Sequence, residues 1–271
     1  MPELPEVETV RSGLEPVLVG RTINDAICYR QSLRYPLPDF SKLTGSKITS
    51  LNRRSKYLLF ALDDGQTLVW HLGMTGQFHV LPGEDARAKH EHVRIDLHDG
   101  QSLRYRDARR FGYAGLLASD TLMSHAWFAG LGPEPLGDEF HSDYLVGLCK
   151  ARKAPIKTII MDATNVVGVG NIYAAESLFR AGIHPARAAG RISKQRLAML
   201  VEVIRQVLRE AIEAGGSTIS DFVKADGKPG YFAHSFQVYG RADKSCLRCG
   251  KVIKRMTQAG RSSFYCPHCQ R

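Results

Sequence analysis

Four of the six cysteines in the 271-residue sequence fall in its last 26 residues. They read Cys246-Leu-Arg-Cys249 and, sixteen residues on, Cys266-Pro-His-Cys269. Two CxxC knuckles at this separation are the pattern of a zinc ribbon, in which four thiolates hold one ion tetrahedrally. A reducing cytosol disfavours disulfides here, and a redox CxxC would sit beside a βαβ pattern that this chain lacks. Four protein ligands leave no open position, so one structural Zn2+ is expected, with His268 a bystander. The other end holds a second candidate. Pro2 is small enough to permit removal of Met1, which would leave a secondary amine. An α-amine titrates near about 8, so part of it is neutral, and a neutral amine can attack an aldehyde-like sugar carbon to give an iminium. Glu3 and Glu6 lie within one turn of it and could shuttle protons. Equally, acids at a helix N-terminus could simply offset its dipole.

Elements must position these groups. Pro5 suits a first helical turn, and Val7, Val10, Leu14 and Val17 recur at helical spacing up to a stop at Gly20. Strand-like runs follow at 22–29, 56–62, 66–72, 77–81, 93–97, 102–106 and 111–117. Asp-Gly pairs at 64–65 and 99–100 separate strands as hairpins do. So many short strands suggest a sandwich or barrel. Cys28 in the first run and Cys149 at a helix end are expected to be buried, inert thiols. The turn-rich segment 133–140 is the linker candidate. Helices then follow at 144–149, 156–161, 171–180 and 195–214, the last amphipathic and ended by Gly215-Gly216.

Charge separates the two halves. Residues 1–150 carry 17 Lys+Arg and 19 Asp+Glu, whereas residues 151–271 carry 20 and 8. All of the formal net charge of +10 therefore belongs to the second half. A nucleic acid is the commonest partner for such a patch, although a basic surface can also serve solubility alone. The segment 241–271 has eight Lys+Arg and one acid, so it stays basic after four thiolates bind zinc. No apolar stretch is long enough to span a membrane. The acidic start has no apolar signal region, so a cytoplasmic location is expected.

Longer motifs narrow the reading. The start Met1-Pro-Glu-Leu-Pro-Glu-Val-Glu-Thr9, then Arg53-Arg-Ser-Lys56-Tyr and His71-Leu-Gly-Met-Thr-Gly76, resemble the bacterial formamidopyrimidine-DNA glycosylases. So do Asp107-Ala-Arg-Arg-Phe-Gly112, Val167-Gly-Val-Gly-Asn-Ile-Tyr173, Asp226-Gly-Lys-Pro-Gly230 and the terminal ribbon, all in the family's order. The resemblance implies an α+β, multidomain fold: an N-terminal helix plus β-sandwich domain over 1–132, a linker over 133–140, a helix–two-turns–helix domain over 141–240, and a zinc ribbon β-hairpin over 241–271. It implies a monomer acting on double-stranded DNA with oxidised bases, in a bacterial cytoplasm and on the nucleoid. The implied reaction is excision of 8-oxoguanine and formamidopyrimidines, followed by β,δ-elimination.

In that resemblance Pro2 is the nucleophile at C1′, Glu3 the general acid/base and Glu6 its support. Lys56 and Arg261 are catalytic-site cations that contact phosphate. Read without the resemblance, Lys56 is a solvated charge at a strand edge. The base must leave the helix, and Met74, Arg109 and Phe111 match the trio that fills the gap. Met74 and Phe111 alone would be read as core. Arg109 would pair with the orphaned cytosine; Arg110 has no assigned role. His90, Lys157, Asn171 and Tyr239 complete the implied DNA contacts, Asn171 after a Gly168-Val-Gly170 turn that lets phosphate approach a helix start. The Gly215–Tyr231 stretch would cap the flipped base. Here Ile219-Ser220-Asp221 stands where some members have a basic residue.

Two other readings remain. An endonuclease VIII-type enzyme for oxidised pyrimidines would share the proline, the acids and the ribbon. A non-catalytic DNA-binding zinc-ribbon protein would need only the basic half. All three readings expect affinity for duplex DNA to fall steeply as salt rises, because bound phosphates release counterions. An affinity measured by anisotropy that ignores salt removes the polyanion reading.

Overall fold

The computed structural model describes residues 2–216 and 236–271. The expected lid therefore lies outside the described residues from 217 onward, as does Met1. The chain forms two compact units, Met1–Ala129 with Ala214–Tyr231, and Gly130–Glu213 with Phe232–Arg271.

The first unit opens with α1 (Leu4–Leu18). Its buried face is Leu4, Val7, Val10, Leu14 and Leu18, the three- and four-residue spacing of one helical stripe. Pro5 occupies the first turn, where a missing N–H costs nothing. The Glu6 carboxylate reaches back to accept the Glu3 N–H at 2.8 Å, the return half of a capping box. Eight strands follow: β1 (Ile23–Cys28), β2 (Ile48–Arg54), β3 (Tyr57–Leu62), β4 (Gln66–His71), β5 (Gln77–Pro82), β6 (Glu91–Leu97), β7 (Gln101–Arg106) and β8 (Tyr113–Ala118).

They make two antiparallel four-stranded sheets, ordered β1-β6-β7-β5 and β2-β3-β4-β8. One continuous core joins them to α1. Val93, Ile95, Leu103 and Tyr105 of the first sheet, Leu51, Leu58, Phe60 and Trp70 of the second, and Val10 and Leu14 of the helix all belong to it. Gly65 and Gly100 turn the two Asp-Gly hairpins at φ +81 and +82. The strand β2 has no counterpart in the sequence reading. Its buried Ile48 and Leu51 are three apart, and a bulge between Ile48 and Ser50 hides the period of two.

The second unit holds α2 (Ser142–Cys149), α3 (Ile156–Met161), α4 (Asn171–Arg180), α5 (Lys194–Glu213) and the ribbon strands β9 (Lys254–Gln258) and β10 (Arg261–Tyr265). The segment 133–140 is packed into this unit. Arg205 of α5 donates to the carbonyls of Gly137 and Phe140, both at 2.8 Å, and Phe140 is fully buried. The ribbon shares its core with α4: Ala175 and Phe179 pack with Val238, Cys246, Ile253 and Cys266. Glu176 of α4, almost fully buried, accepts the backbone N–H groups of Gln237, Val238 and Tyr239 at 2.8–3.0 Å. Three donors on one carboxylate fix its two oxygens in place in the interior. Cys149 is buried as expected, and burial pushes its thiol up to about 11. Cys28 is only half-buried at the end of β1, its Sγ donating to the Arg30 carbonyl, which corrects the expectation of a core thiol. No helix among the described residues is long and apolar enough to cross a membrane.

Candidate active site and nucleic-acid interface

Pro2, Glu3 and Glu6 are all buried at the start of α1. One turn further on, Glu8 pairs with Arg53 at 2.9 Å and Arg11 at 2.6 Å, which pins the helix to the end of β2. Burial pushes the Glu8 carboxyl up, but hydrogen bonds and charge from Arg11 and Arg53 outweigh it and leave the pKa below the usual carboxylate range. Gly216 packs against the same spot. A Cβ there would lie 3.4 Å from Glu6 Cα, and its φ of +79 favours glycine on its own account.

The strand register gathers the other candidates. On the second sheet Tyr57 pairs with His71, and His71 with Tyr113. On the first sheet Arg106 pairs with both Gln77 and Glu91. Lys56 precedes Tyr57, Met74 sits between His71 and Gln77, His90 precedes Glu91, and Arg109 and Phe111 sit between Arg106 and Tyr113. The loops bearing these five residues thus leave the two sheets at one end. The aromatic pairs hold that end together. His71 stacks on Tyr113 with centroids 4.8 Å apart, and the Tyr57 and Tyr113 hydroxyls lie 2.8 Å apart.

The loops present their residues outward. Phe111 is 41% exposed and Met74 half-buried, so neither is the core residue that its apolar side chain alone suggests. Arg109 and His90 are exposed, and the Arg109 guanidinium lies 4.9 Å over the Phe111 ring. Lys56 is half-buried in the two-residue turn between β2 and β3. Among the described residues, six non-glycines take positive φ; one is the candidate His90, and two, Ser55 and Arg110, adjoin Lys56, Arg109 and Phe111. Left-handed non-glycine backbone persists only where its surroundings enforce it, and it gathers at functional loops.

In the second unit Asn171 opens α4 after Gly168 (φ +79) and Gly170. Lys157 departs from the expectation of an outward phosphate contact. It is 2% exposed, and its ammonium donates to Asn171 Oδ1 and Ser263 Oγ, both at 2.6 Å, and to the Ser262 carbonyl at 3.3 Å. It ties α3 and α4 to the ribbon and aims Asn171. Arg261, exposed at the first position of β10, shares with Lys157 a cleft of ≈ 230 Å³. Tyr239 is half-buried against Phe264 with centroids 5.2 Å apart. The Sγ atoms of Cys246, Cys249, Cys266 and Cys269 all lie within 4.8 Å of one another, with close pairs at 3.5 and 4.0 Å. Thiolates on a tetrahedral zinc stand about 3.8 Å apart, so the residues fit that ion. His268 is exposed and takes no part in the cluster.

Known proteins match three segments of the chain. Residues 1–114 match the formamidopyrimidine-DNA glycosylase N-terminal domain, 131–223 the H2TH domain of the same enzymes, and 243–271 a zinc finger found in FPG and IleRS. The formamidopyrimidine-DNA glycosylases of Ruegeria pomeroyi and Dinoroseobacter shibae are 50% and 49% identical, each over the whole of both chains. The chain belongs to the formamidopyrimidine-DNA glycosylase family. A Lactococcus lactis FPG variant solved with Fapy-dG DNA superposes with a TM-score of 0.93 at 33% identity over all of both chains. The wild-type Lactococcus lactis enzyme with oxidised-pyrimidine DNA gives 0.92 at 33%, again over all of both. The four cysteines are accordingly the structural zinc site of a formamidopyrimidine-DNA glycosylase zinc finger.

Some residues that shape the site carried no signal of role in the sequence. Glu176 reads as an ordinary helical acid, and Asp107 and Thr75 stand silent inside longer motifs.

Two predictions follow from these geometries. Burial, then the charges of Lys56 and Arg34, lowers His71 from 6.5 to about 3, while its Nδ1 accepts the Gly73 N–H at 3.0 Å. Folded protein therefore keeps His71 neutral where the unfolded chain takes up a proton, so stability is lost as pH falls from 6.5 towards 3. His71→Asn keeps an acceptor and removes the titration. Urea unfolding between pH 7 and 5 is expected to show a shallower loss, by up to about 1.4 kcal/mol per pH unit; an unchanged slope refutes it. Cys249→Ser is expected to lose stoichiometric zinc and duplex affinity together, because the ribbon core is shared with α4. Full affinity in metal-free protein, by elemental analysis and anisotropy, would contradict that.

Proposed function

We propose that this chain removes 8-oxoguanine and formamidopyrimidines from duplex DNA and then cuts the backbone at the resulting site. It is a DNA repair glycosylase with an AP lyase step, and its roles divide along the two units. In the first unit, Pro2 freed of Met1 attacks C1′ of the damaged nucleotide. The glycosidic bond breaks, the base leaves with a proton, and an iminium joins Pro2 to the opened sugar. Loss of a C2′ proton then expels the 3′ phosphate, and a second elimination expels the 5′ phosphate. Glu3 moves protons at the sugar and the departing base. Glu6 holds Glu3 in place through the 2.8 Å bond that also caps α1. Lys56 contacts phosphate beside the lesion from its tight turn.

Met74, Arg109 and Phe111 enter the space left by the flipped base, and Arg109 pairs with the orphaned cytosine. His90 contacts the backbone nearby. In the second unit Asn171, Arg261 and Tyr239 hold phosphates, with Lys157 behind Asn171. The enzyme works in the bacterial cytoplasm, on the nucleoid. The observation that carries this reading is the buried trio at the start of α1: Pro2 beside two acids, with the Glu6 carboxylate holding the Glu3 backbone.

Borohydride trapping on a duplex with 8-oxoguanine opposite cytosine tests it, with intact mass to establish that Met1 is absent. A trapped adduct mapping to Pro2 is expected. Glu3→Gln is expected to keep duplex affinity and to lose base excision by at least about 100-fold in single turnover. No adduct from a correctly processed chain moves the test to an oxidised-pyrimidine duplex, such as the one bound by the Lactococcus lactis relative. No adduct on either leaves a DNA clamp without chemistry.

A further inference from the structure

Asp107 lies at the point where the loops of Met74, Arg109 and Phe111 meet, and it is fully buried. Its Oδ1 accepts the Thr75 hydroxyl at 2.5 Å. Its Oδ2 accepts the Gly112 N–H at 2.8 Å and lies 3.3 Å from the Tyr105 hydroxyl. Its own N–H donates to the His90 carbonyl at 3.0 Å, and its carbonyl accepts from His92 Nε2 at 2.8 Å. One interior residue thus joins three loops, those of Thr75 and Gly112 through its carboxylate and that of His90 through its backbone N–H. Hydrogen bonds to a charge in a low-dielectric interior are the strong ones, and they keep fixed directions.

Thr75 extends the grip. Its only hydroxyl proton goes to Asp107, which turns its lone pairs elsewhere, and one of them accepts the Arg109 N–H at 3.1 Å. Met74 is the chain neighbour of Thr75, and Phe111 the chain neighbour of Gly112. Every member of the trio is therefore one residue or one bond from the same network. The loops also touch directly: a Cβ on Gly73 would collide with the Phe111 carbonyl and the Gly112 nitrogen. Arg110, at φ +58 between Arg109 and Phe111, keeps its strained backbone because both sides are tied.

We propose that Asp107 and Thr75 are positioning residues that tie Met74, Arg109 and Phe111 into one rigid wedge, and that this tie decides how strictly the enzyme reads the base opposite the lesion. The proposal rests on the wedge role given to that trio above. A wedge already ordered before it meets DNA opens the stack without first losing loop entropy. Arg109, held from two sides, then meets cytosine in one geometry and a wrong partner in none.

The test uses the full chain with Met1 removed. Wild type, Thr75→Val, Thr75→Ser and Asp107→Asn are compared, with Met74→Ala, Arg109→Ala and Phe111→Ala as wedge controls. Each preparation is normalised by borohydride trapping on a single-stranded abasic oligonucleotide, which has no stacked base to displace. Single-turnover excision of 8-oxoguanine is read opposite cytosine and opposite adenine. Base extrusion is read by 2-aminopurine placed beside the lesion.

Valine keeps the shape of threonine and removes both bonds. Thr75→Val is expected to slow extrusion and excision opposite cytosine about tenfold or more and to narrow the cytosine-over-adenine ratio. Thr75→Ser restores both, and trapping on the single strand stays at the wild-type level. Should the valine variant fail to trap, Asp107→Asn carries the same expectation. Wild-type rates and ratio in Thr75→Val, or in Asp107→Asn where it replaces it, overturn the tie if the wedge controls are slow. If those controls also match wild type, the wedge reading falls and takes the tie with it.

Discussion

Tyr57, His71 and Tyr113 lie opposite one another on three neighbouring strands, and the positions of the loops at that end follow from their alignment. A strand cannot slip by one residue without turning its buried face to water. The Leu58, Phe60, Leu68 and Trp70 side chains in the core therefore fix where Lys56 and Met74 emerge as firmly as any contact those residues make themselves. The second sheet alone could not do this. Its loops cross to the first, where Arg106 lies between Gln77 and Glu91, so the two sheets set the loops jointly. The candidates Lys56, Met74, His90, Arg109 and Phe111 sit on connections whose two ends are both anchored in a sandwich core.

The second unit solves a different problem, which is to hold a small basic hairpin rigidly with little apolar surface of its own. Zinc supplies one part of the answer and the shared core with α4 another. Two buried charges supply the rest. Glu176 grips three consecutive backbone N–H groups, and Lys157 joins α3, Asn171 and the ribbon. Each is fully engaged by polar partners. Hydrogen bonds of this kind offset the desolvation of each group, and removing a partner would leave a buried polar group unsatisfied.

Much of this could be read from the sequence, and the reasons are particular. The cysteine spacing is set by coordination geometry, so it names its metal without a fold. The helix at the start and the Asp-Gly hairpins obey local rules, and they formed where those rules put them. The strand β2 carries no alternating pattern because its bulge breaks the period. Met74 and Phe111 looked like core because composition cannot tell an apolar side chain that faces water from one that does not. The resemblance implies Lys157 as a DNA contact, and the polar partners that bury its ammonium, Asn171 and Ser263, lie 14 and 106 residues away, where no local pattern shows them. Asp107 and Thr75 are 32 residues apart, and a pairing at that distance leaves no local trace.

The cap on α1 has a consequence for how the protein matures. It uses the Glu3 N–H and the Glu6 carboxylate, and neither depends on whether residue 1 is present. With Met1 attached, the Pro2 nitrogen is an amide whose lone pair is delocalised, and it cannot act as a nucleophile. On the proposed role of Pro2, folding and arming are separate events. The helix cap is built from residues 3 and 6 in either form. The mass of the chain, or a covalent trap, is what tells the two forms apart.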